Sequence, residues 1–296
     1  MNLHLNKELF REFIDNLNTR TGIDSDIIEK DYYVCTILQE LSKNECIDNK
    51  GSVTGIYRYN SIYDASKDPL HRAGIIQVEA TSFTVSEPYK KYNIEPLIYK
   101  LANVNERKIL KEQFEIADFD INIIKLERMF IDKVFAAEFY YIRKMYKDTS
   151  KHLYDITILT QTEKIKKLLE NKDELKKLIS YKRQEESVRE GGIEANLKIK
   201  DFTYLKQEFN EDLLKEFEDM QNKYLLNDRY KISLNEVKDA LNKIINNKNI
   251  IWYYQIFPFT PKIRNEKNWL YKKICYNYYE KVPQMEKFVM RIGDEN

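Results

Sequence analysis

The stretch ADFDINIIKLERMFIDKVFAAEFYYIRKMY, Ala117 to Tyr146, changes its hydrophobic period part-way along. Phe119, Ile121 and Ile123 alternate with Asp118, Asp120 and Asn122, the pattern of a strand with one buried face. From Leu126 the apolar residues recur every three or four positions, so the spacing predicts one long helix from Lys125 to Tyr146. Upstream of this switch, Leu9, Phe10, Phe13, Ile14 and Leu17 lie at helical spacing, with a turn at Thr21-Gly22. A second helix is predicted over SDIIEKDYYVCTILQEL, Ser25 to Leu41, and KNECIDNKGS, Lys43 to Ser52, breaks it. AGIIQVEATSFTV, Ala73 to Val85, alternates and is β-branched, so it reads as a strand. Downstream everything reads as helix. SKHLYDITILTQ begins a second helix at Ser150, and TEKIKKLLENKDELKKLISYKRQ, Thr162 to Gln184, is charged and helical. Gly191-Gly192 marks a loop, and Ser233 with Glu236 forms a capping box ahead of Val237, Leu241, Ile244 and Ile245. The expected class is therefore α+β. A small mixed α/β part over residues 1–124, with flanking helices, precedes a helical part over 125–296.

The totals exclude several roles. With 49 basic against 48 acidic residues, net charge selects neither a polyanion nor a membrane surface. Cys35, Cys46 and Cys275 show no paired spacing, which argues against a disulfide framework or a zinc site and for a reducing, cytoplasmic setting. MNLHLNKELFREFIDNL is charged throughout and does not read as a signal peptide. No apolar run approaches the roughly 18 residues of a membrane span. Lys262 to Lys273 interleaves basic residues with Trp269 and Tyr271, a mix that suits a nucleic-acid backbone or a solvated surface. His4 and His71 have no company that suggests a role.

Two residues look chemically out of place. On a wheel at 100° per residue, Lys133 falls in the middle of an apolar arc with Leu126, Met129, Phe130, Ala136, Ala137 and Tyr140. Arg128, Asp132 and Arg143 fall on the side expected to be solvated. A lysine on that arc must snorkel, pair, or face a cleft that holds an anion. Asp155, within HLYDITIL, is flanked by Leu153, Tyr154, Ile156 and Ile158, where a carboxylate must be paired. It can pair with Lys133, cap a neighbouring helix, or serve a site. His152, just ahead of it, reads as a core or helix-end histidine.

Four segments in order resemble the AbiEii-type nucleotidyltransferase toxins of abortive-infection toxin–antitoxin systems, over roughly Ile23 to Ile245. IEKDYYVCTILQEL (Ile28–Leu41) is similar to the family's opening helix, and VEATSFTVSEP (Val78–Pro88) to its central strand. KLERMFIDKVFAAEFYY (Lys125–Tyr141) resembles its Leu-Glu-Arg-Thr-Phe…Lys-Val-Phe-Ala helix, and SKHLYDITIL (Ser150–Leu159) its Ser-Arg-His-Leu-Tyr-Asp segment. The family keeps a phosphate-contacting lysine and a functional aspartate at the positions of Lys133 and Asp155. Lys50-Gly51-Ser52 resembles the family's Gly-Gly turn, and Ser66-Lys67-Asp68 its Ser-Glu-Asp at the same spacing. The pattern then departs. The second aspartate of the family's Asp-x-Asp pair falls on Leu70, after Pro69, and the segment that follows the pair is missing. Asp64, four residues before Asp68, shares a face with it only if the backbone there is helical or irregular.

The resemblance implies transfer of a nucleotide from an NTP, GTP or another, to RNA, plausibly a tRNA 3′ end. An antitoxin encoded by a neighbouring gene is the implied partner, and phage defence the implied setting. Gly51, Ser52 and Lys133 would bind the nucleotide. Asp68 and Glu79 would hold Mg2+, and Asp68, Glu79, Lys133 and Asp155 would form the catalytic set. With Leu70 in the second carboxylate's place, the expected activity is impaired. The alternative is a non-catalytic module that binds nucleotide, RNA or protein.

Overall fold

A computed structural model of the chain describes residues 2–43, 52–63, 74–81, 88–206, 208–225 and 228–251. These form two compact units, one of residues up to 81 with Tyr89–Ile123, the other of Pro88 and everything from Ile124.

The first unit opens with a 3-10 turn, Leu3–Leu5, and the helices α1 (Lys7–Thr21) and α2 (Ser25–Ser42). Asn6 caps α1 by accepting from Leu9 N at 3.1 Å. Gly22 ends α1 in the left-handed region, φ 70°, and its N–H returns to Asn18 O at 2.8 Å. Gly serves here because a Cβ strains that conformation. The strands β1 (Ser52–Arg58), β2 (Ile75–Thr81), β3 (Tyr89–Ile94) and β4 (Phe119–Ile124) follow, with α3 (Leu97–Lys100) and α4 (Val104–Phe114) between β3 and β4. The described strands form two antiparallel two-stranded ribbons, β1 with β2 and β3 with β4, in keeping with the α+β class that the sequence predicts. The β1–β2 register runs from Ser52 opposite Thr81 to Arg58 opposite Ile75. In β1 the sequence SVTGIYR alternates poorly, and Ile56 and Tyr57 stay exposed, so period-two reading passes over this strand. The core of the unit is helical. Phe10, Ile14 and Leu17 of α1 meet Ile28 and Tyr32 of α2, closed by Ile98, Leu110 and Ile116.

Asp31 of α2 joins these helices, and it carries a pH prediction. Its carboxylate accepts from Leu97 N, at the first residue of α3, at 2.6 Å, with the buried Cys35 thiol 3.7 Å away. Burial raises its pKa from 3.8 to about 6, against the opposing pull of Leu97 N–H, Cys35 and Lys100. A carboxyl with a raised folded-state pKa holds its proton more tightly in the folded protein. Its ionisation therefore removes stability as pH rises from about 4 through about 6. Asp31→Asn keeps an acceptor for Leu97 N and removes the titration. Urea denaturation at pH 4.5 and pH 7 should show this variant gaining on the wild type at the higher pH. A difference that does not change with pH would refute this reading of Asp31.

The second unit contains α5 (Leu126–Tyr141), α6 (Tyr146–Gln161), α7 (Glu163–Glu170), α8 (Lys172–Val188), α9 (Thr203–Lys206), α10 (Glu211–Tyr224), α11 (Leu234–Ile245) and α12 (Lys248–Ile251). The helix predicted from Lys125 to Tyr146 ends at Tyr141, and Tyr146 already opens α6. Lys144 adopts φ 57°, and Met145 N closes back on Tyr140 O at 3.0 Å. No Gly or Pro marks this turn, because a lysine takes the left-handed position that glycine usually fills. The helical segment from Thr162 divides at Asn171, whose side chain accepts from Glu174 N at 3.1 Å and starts α8. The capping box of Ser233 and Glu236 opens α11 as the sequence predicts. Phe130, Phe135, Ile156, Leu168, Leu178, Phe202, Phe217, Val237 and Ile244 lie within one continuous core.

Candidate functional site

Helix α5 is enclosed on most sides, and its polar residues divide into two groups. Arg128 and Asp132 are buried, contrary to the solvated side on which the wheel places them, while Arg143 is exposed as expected. Arg128 forms a charge-assisted hydrogen bond to Glu185 of α8 and lies 3.2 Å from Asp132. Lys182 reaches Asp132 at 3.6 Å and both Glu185 and Glu186 at 3.1 Å. Burial works to lower the Lys182 pKa, but the charges of Asp132, Glu185 and Glu186 outweigh it and hold the pKa above the usual lysine value. A hydrophobicity wheel cannot anticipate this pattern, because it assigns charge to solvent unless a partner across the interface is known.

Lys133 belongs to the other group. With Met129, Ala136 and Tyr140 it forms a half-buried line along α5, flanked by the buried Leu126, Phe130 and Ala137. Its Nζ lies 2.6 Å from Asp155 Oδ2 of α6, and the two side chains retain 22% and 17% exposure. Of the alternatives open in the sequence, pairing is the one realised for both residues. His152 sits one turn before Asp155, and its ring stacks on that of Tyr140 with centroids 5.3 Å apart and planes 21° apart. Neither ring stood out in the sequence as a site residue. The available signal was spacing: Tyr140 is seven residues beyond Lys133, and His152 three before Asp155, so helical periodicity puts all four along one face of the hairpin.

Of the other candidate residues, Ser52 and Glu79 belong to the first unit. Ser52 is the first residue of β1, and Glu79 takes the β2 position opposite Thr54, with the side chains of both outside the description. Gly51, Asp64, Asp68, Pro69 and Leu70 lie outside the described residues, as do Cys46, Cys275, His71 and Lys262–Lys273. The chain leading to Asp68 is held as far as Tyr63. The buried Glu29 accepts from Ser61 Oγ at 2.5 Å and Ile62 N at 2.8 Å. Arg11 donates to Ile62 O, and Tyr63 Oη donates to Asp15 at 2.8 Å. Among the described residues no group of three or more His, Cys, Asp or Glu side chains could hold a metal ion. Nor is any described helix long and apolar enough to cross a membrane.

The family model for the nucleotidyl transferase AbiEii toxin of type IV toxin–antitoxin systems matches residues 10–253. The chain belongs to the AbiEii family. Membership gives it the character of a nucleotidyltransferase toxin and implies an antitoxin partner. The match runs through both units, so it takes in the AbiEii-like helices that carry Lys133 and Asp155 as well as the strands with Ser52 and Glu79. Comparisons with curated proteins and with solved structures found no match.

Proposed function

We propose that this AbiEii-family protein transfers a nucleotide from an NTP to the 3′ end of a tRNA, at a rate reduced by the loss of the second carboxylate, as the toxin of an abortive-infection locus. The observation that carries the reading is the Lys133–Asp155 pair. The same helix already holds a fully enclosed charge network through Arg128 and Asp132, which ties α5 to α8. Lys133 and Asp155 instead leave the ammonium half-buried, where it can meet an anion.

The chemistry follows from charge. In nucleotidyl transfer, negative charge develops on the triphosphate as its α-phosphorus is attacked in line. A fixed ammonium in a partly desolvated setting stabilises that charge more than a mobile one in water. Asp155 holds the Lys133 ammonium in place when no nucleotide is bound. Asp68 and Glu79 would hold Mg2+, which supplies further charge stabilisation at the phosphates, and Gly51 and Ser52 would offer polar groups to them. Leu70 contributes no ligand, so two-metal catalysis of full strength is not expected.

The test is direct. Purified protein with Mg2+, each labelled NTP and total tRNA should label RNA, and Lys133→Ala should lower the rate by about 10²–10³-fold. Asp155→Ala and Asp68→Ala should also abolish most of the labelling. Labelling that survives all three substitutions would overturn the site. No labelling by the wild type, together with a Lys133-dependent rise in melting temperature on adding an NTP, would favour the non-catalytic nucleotide-binding module, for which Leu70 is the argument.

A further inference from the structure

We propose that the Tyr140–His152 stack is the platform for the base of the nucleotide whose phosphates Lys133 contacts. This rests on the nucleotide reading above and adds to it the residues that would grip the nucleoside. The two rings are nearly parallel, at 21°, with centroids 5.3 Å apart, and both are half-buried on the same hairpin face as Lys133 and Asp155. A pre-formed stack of two flat rings offers a third flat ring an ordered surface with little further loss of rotamer freedom. A nucleobase is such a ring, and base–aromatic stacking tolerates any base, because every base has a π-face.

The spacing suits one occupant. Seven residues of helix carry Tyr140 about 10 Å along the axis from Lys133. That is comparable to the separation of base and outer phosphates in an extended nucleoside triphosphate. The chemical pattern agrees, with an ammonium at one end of the face and aromatic surface at the other. Tyr140 is itself braced. Phe139 meets it edge-on at 5.3 Å, and Phe139 is clasped between the guanidinium groups of Arg143 and Arg189, at 3.6 Å and 3.4 Å from its ring centroid. The platform therefore backs onto the packed Phe139 ring. An apolar contact needed only for packing would serve equally well with an aliphatic side chain, whereas a platform requires the ring.

Titration calorimetry of the full chain with each of the four NTPs, and with inorganic triphosphate, separates the two ends of the site. The wild type should bind NTPs more tightly than inorganic triphosphate. Tyr140→Leu and His152→Ala should each weaken NTP binding roughly tenfold and leave inorganic triphosphate binding within twofold, which also reports that the fold is intact. Tyr140→Phe, which keeps the ring, should recover most of the affinity lost in Tyr140→Leu. Lys133→Ala should weaken both ligands. NTP binding that depends on Lys133 but is unchanged in Tyr140→Leu and His152→Ala would overturn the platform and leave the nucleotide site standing. Equal losses for NTP and inorganic triphosphate would make the stack structural and overturn it too. A wild type that binds neither ligand would remove the nucleotide reading and this inference with it.

Discussion

Arg128→Met should destabilise the helical unit by about 3–5 kcal/mol, the usual cost of removing one partner from a buried ion pair. Arg128 is fully enclosed, and its guanidinium, like the Lys182 ammonium, links Asp132 on its own helix to Glu185 on α8. With Lys182 and Arg189 it balances Asp132, Glu185 and Glu186, three cations against three anions. Methionine fills much of the space but leaves three enclosed carboxylates to Lys182 and the more exposed Arg189. The loss is therefore mainly the desolvation of unpaired charge, and the size of the cavity matters less. A second variant tests that mechanism. Arg128→Met with Glu185→Leu removes a charge of each sign, so its destabilisation should fall well below the sum of the two single changes. Urea denaturation followed by far-UV circular dichroism measures all three. A single-variant cost under about 1 kcal/mol, or strict additivity in the double variant, would show that the network is not coupled.

The same network marks where sequence reading stops. Periodicity located α1, α2, α6, α11, β2 and β4, because each buries one regular face and its apolar residues repeat at that element's period. It failed on α5 in a specific way. That helix is covered on several sides, so Arg128 and Asp132 occupy interior positions that a wheel assigns to solvent, and their partners on α8 lie fifty or more residues further along, at Lys182 and Glu185. It also missed β1, whose Ile56 and Tyr57 are exposed, and the turn at Lys144, where neither glycine nor proline announces the break. Side-chain caps explain the division at Asn171, since asparagine within a lysine-rich helix reads as one more polar surface residue until its bond to Glu174 N is seen.

For the candidate site, the sequence held half of the geometry. Lys133 and Asp155 were each anomalous, and the structure joins them at 2.6 Å. Tyr140 and His152 were not anomalous, because an aromatic on an apolar arc and a histidine beside a leucine are common in any core. Their significance comes from being stacked on each other next to the ion pair, a relation between two helices that neither helix carries alone.

Gly192→Ala should cost about 3 kcal/mol, from backbone overpacking together with a strained hydrogen bond to a buried carboxylate. The sequence reads Gly191-Gly192 only as a loop, and the usual rule would make Gly191 the sensitive member. Gly191 has φ 64°, the conformation in which glycine is favoured. A Cβ there would come within 2.7 Å of Arg143 Nη2, the far end of a flexible side chain that can move aside. Gly192 has no such relief. A Cβ on it would lie 2.0 Å from the carbonyl oxygen of Glu186 and 3.1 Å from that of Arg189, both backbone atoms of the end of α8. The loop would have to shift outward, straining the bond from Gly192 N to Arg189 O at 3.0 Å and the one from Ile193 N to the Glu186 carboxylate at 3.0 Å. Glu186 is buried and belongs to the charge network with Lys182, so loosening its backbone donor also disturbs the pairing that Arg128 shares. Gly191→Ala, by contrast, should cost only about 1–2 kcal/mol, the penalty for a left-handed L-residue. Denaturation of the two variants side by side gives the ranking, and hydrogen exchange at the α8 amides locates the damage. A Gly191→Ala variant less stable than Gly192→Ala would mean that the loop yields more easily than the Glu186 carbonyl contact implies.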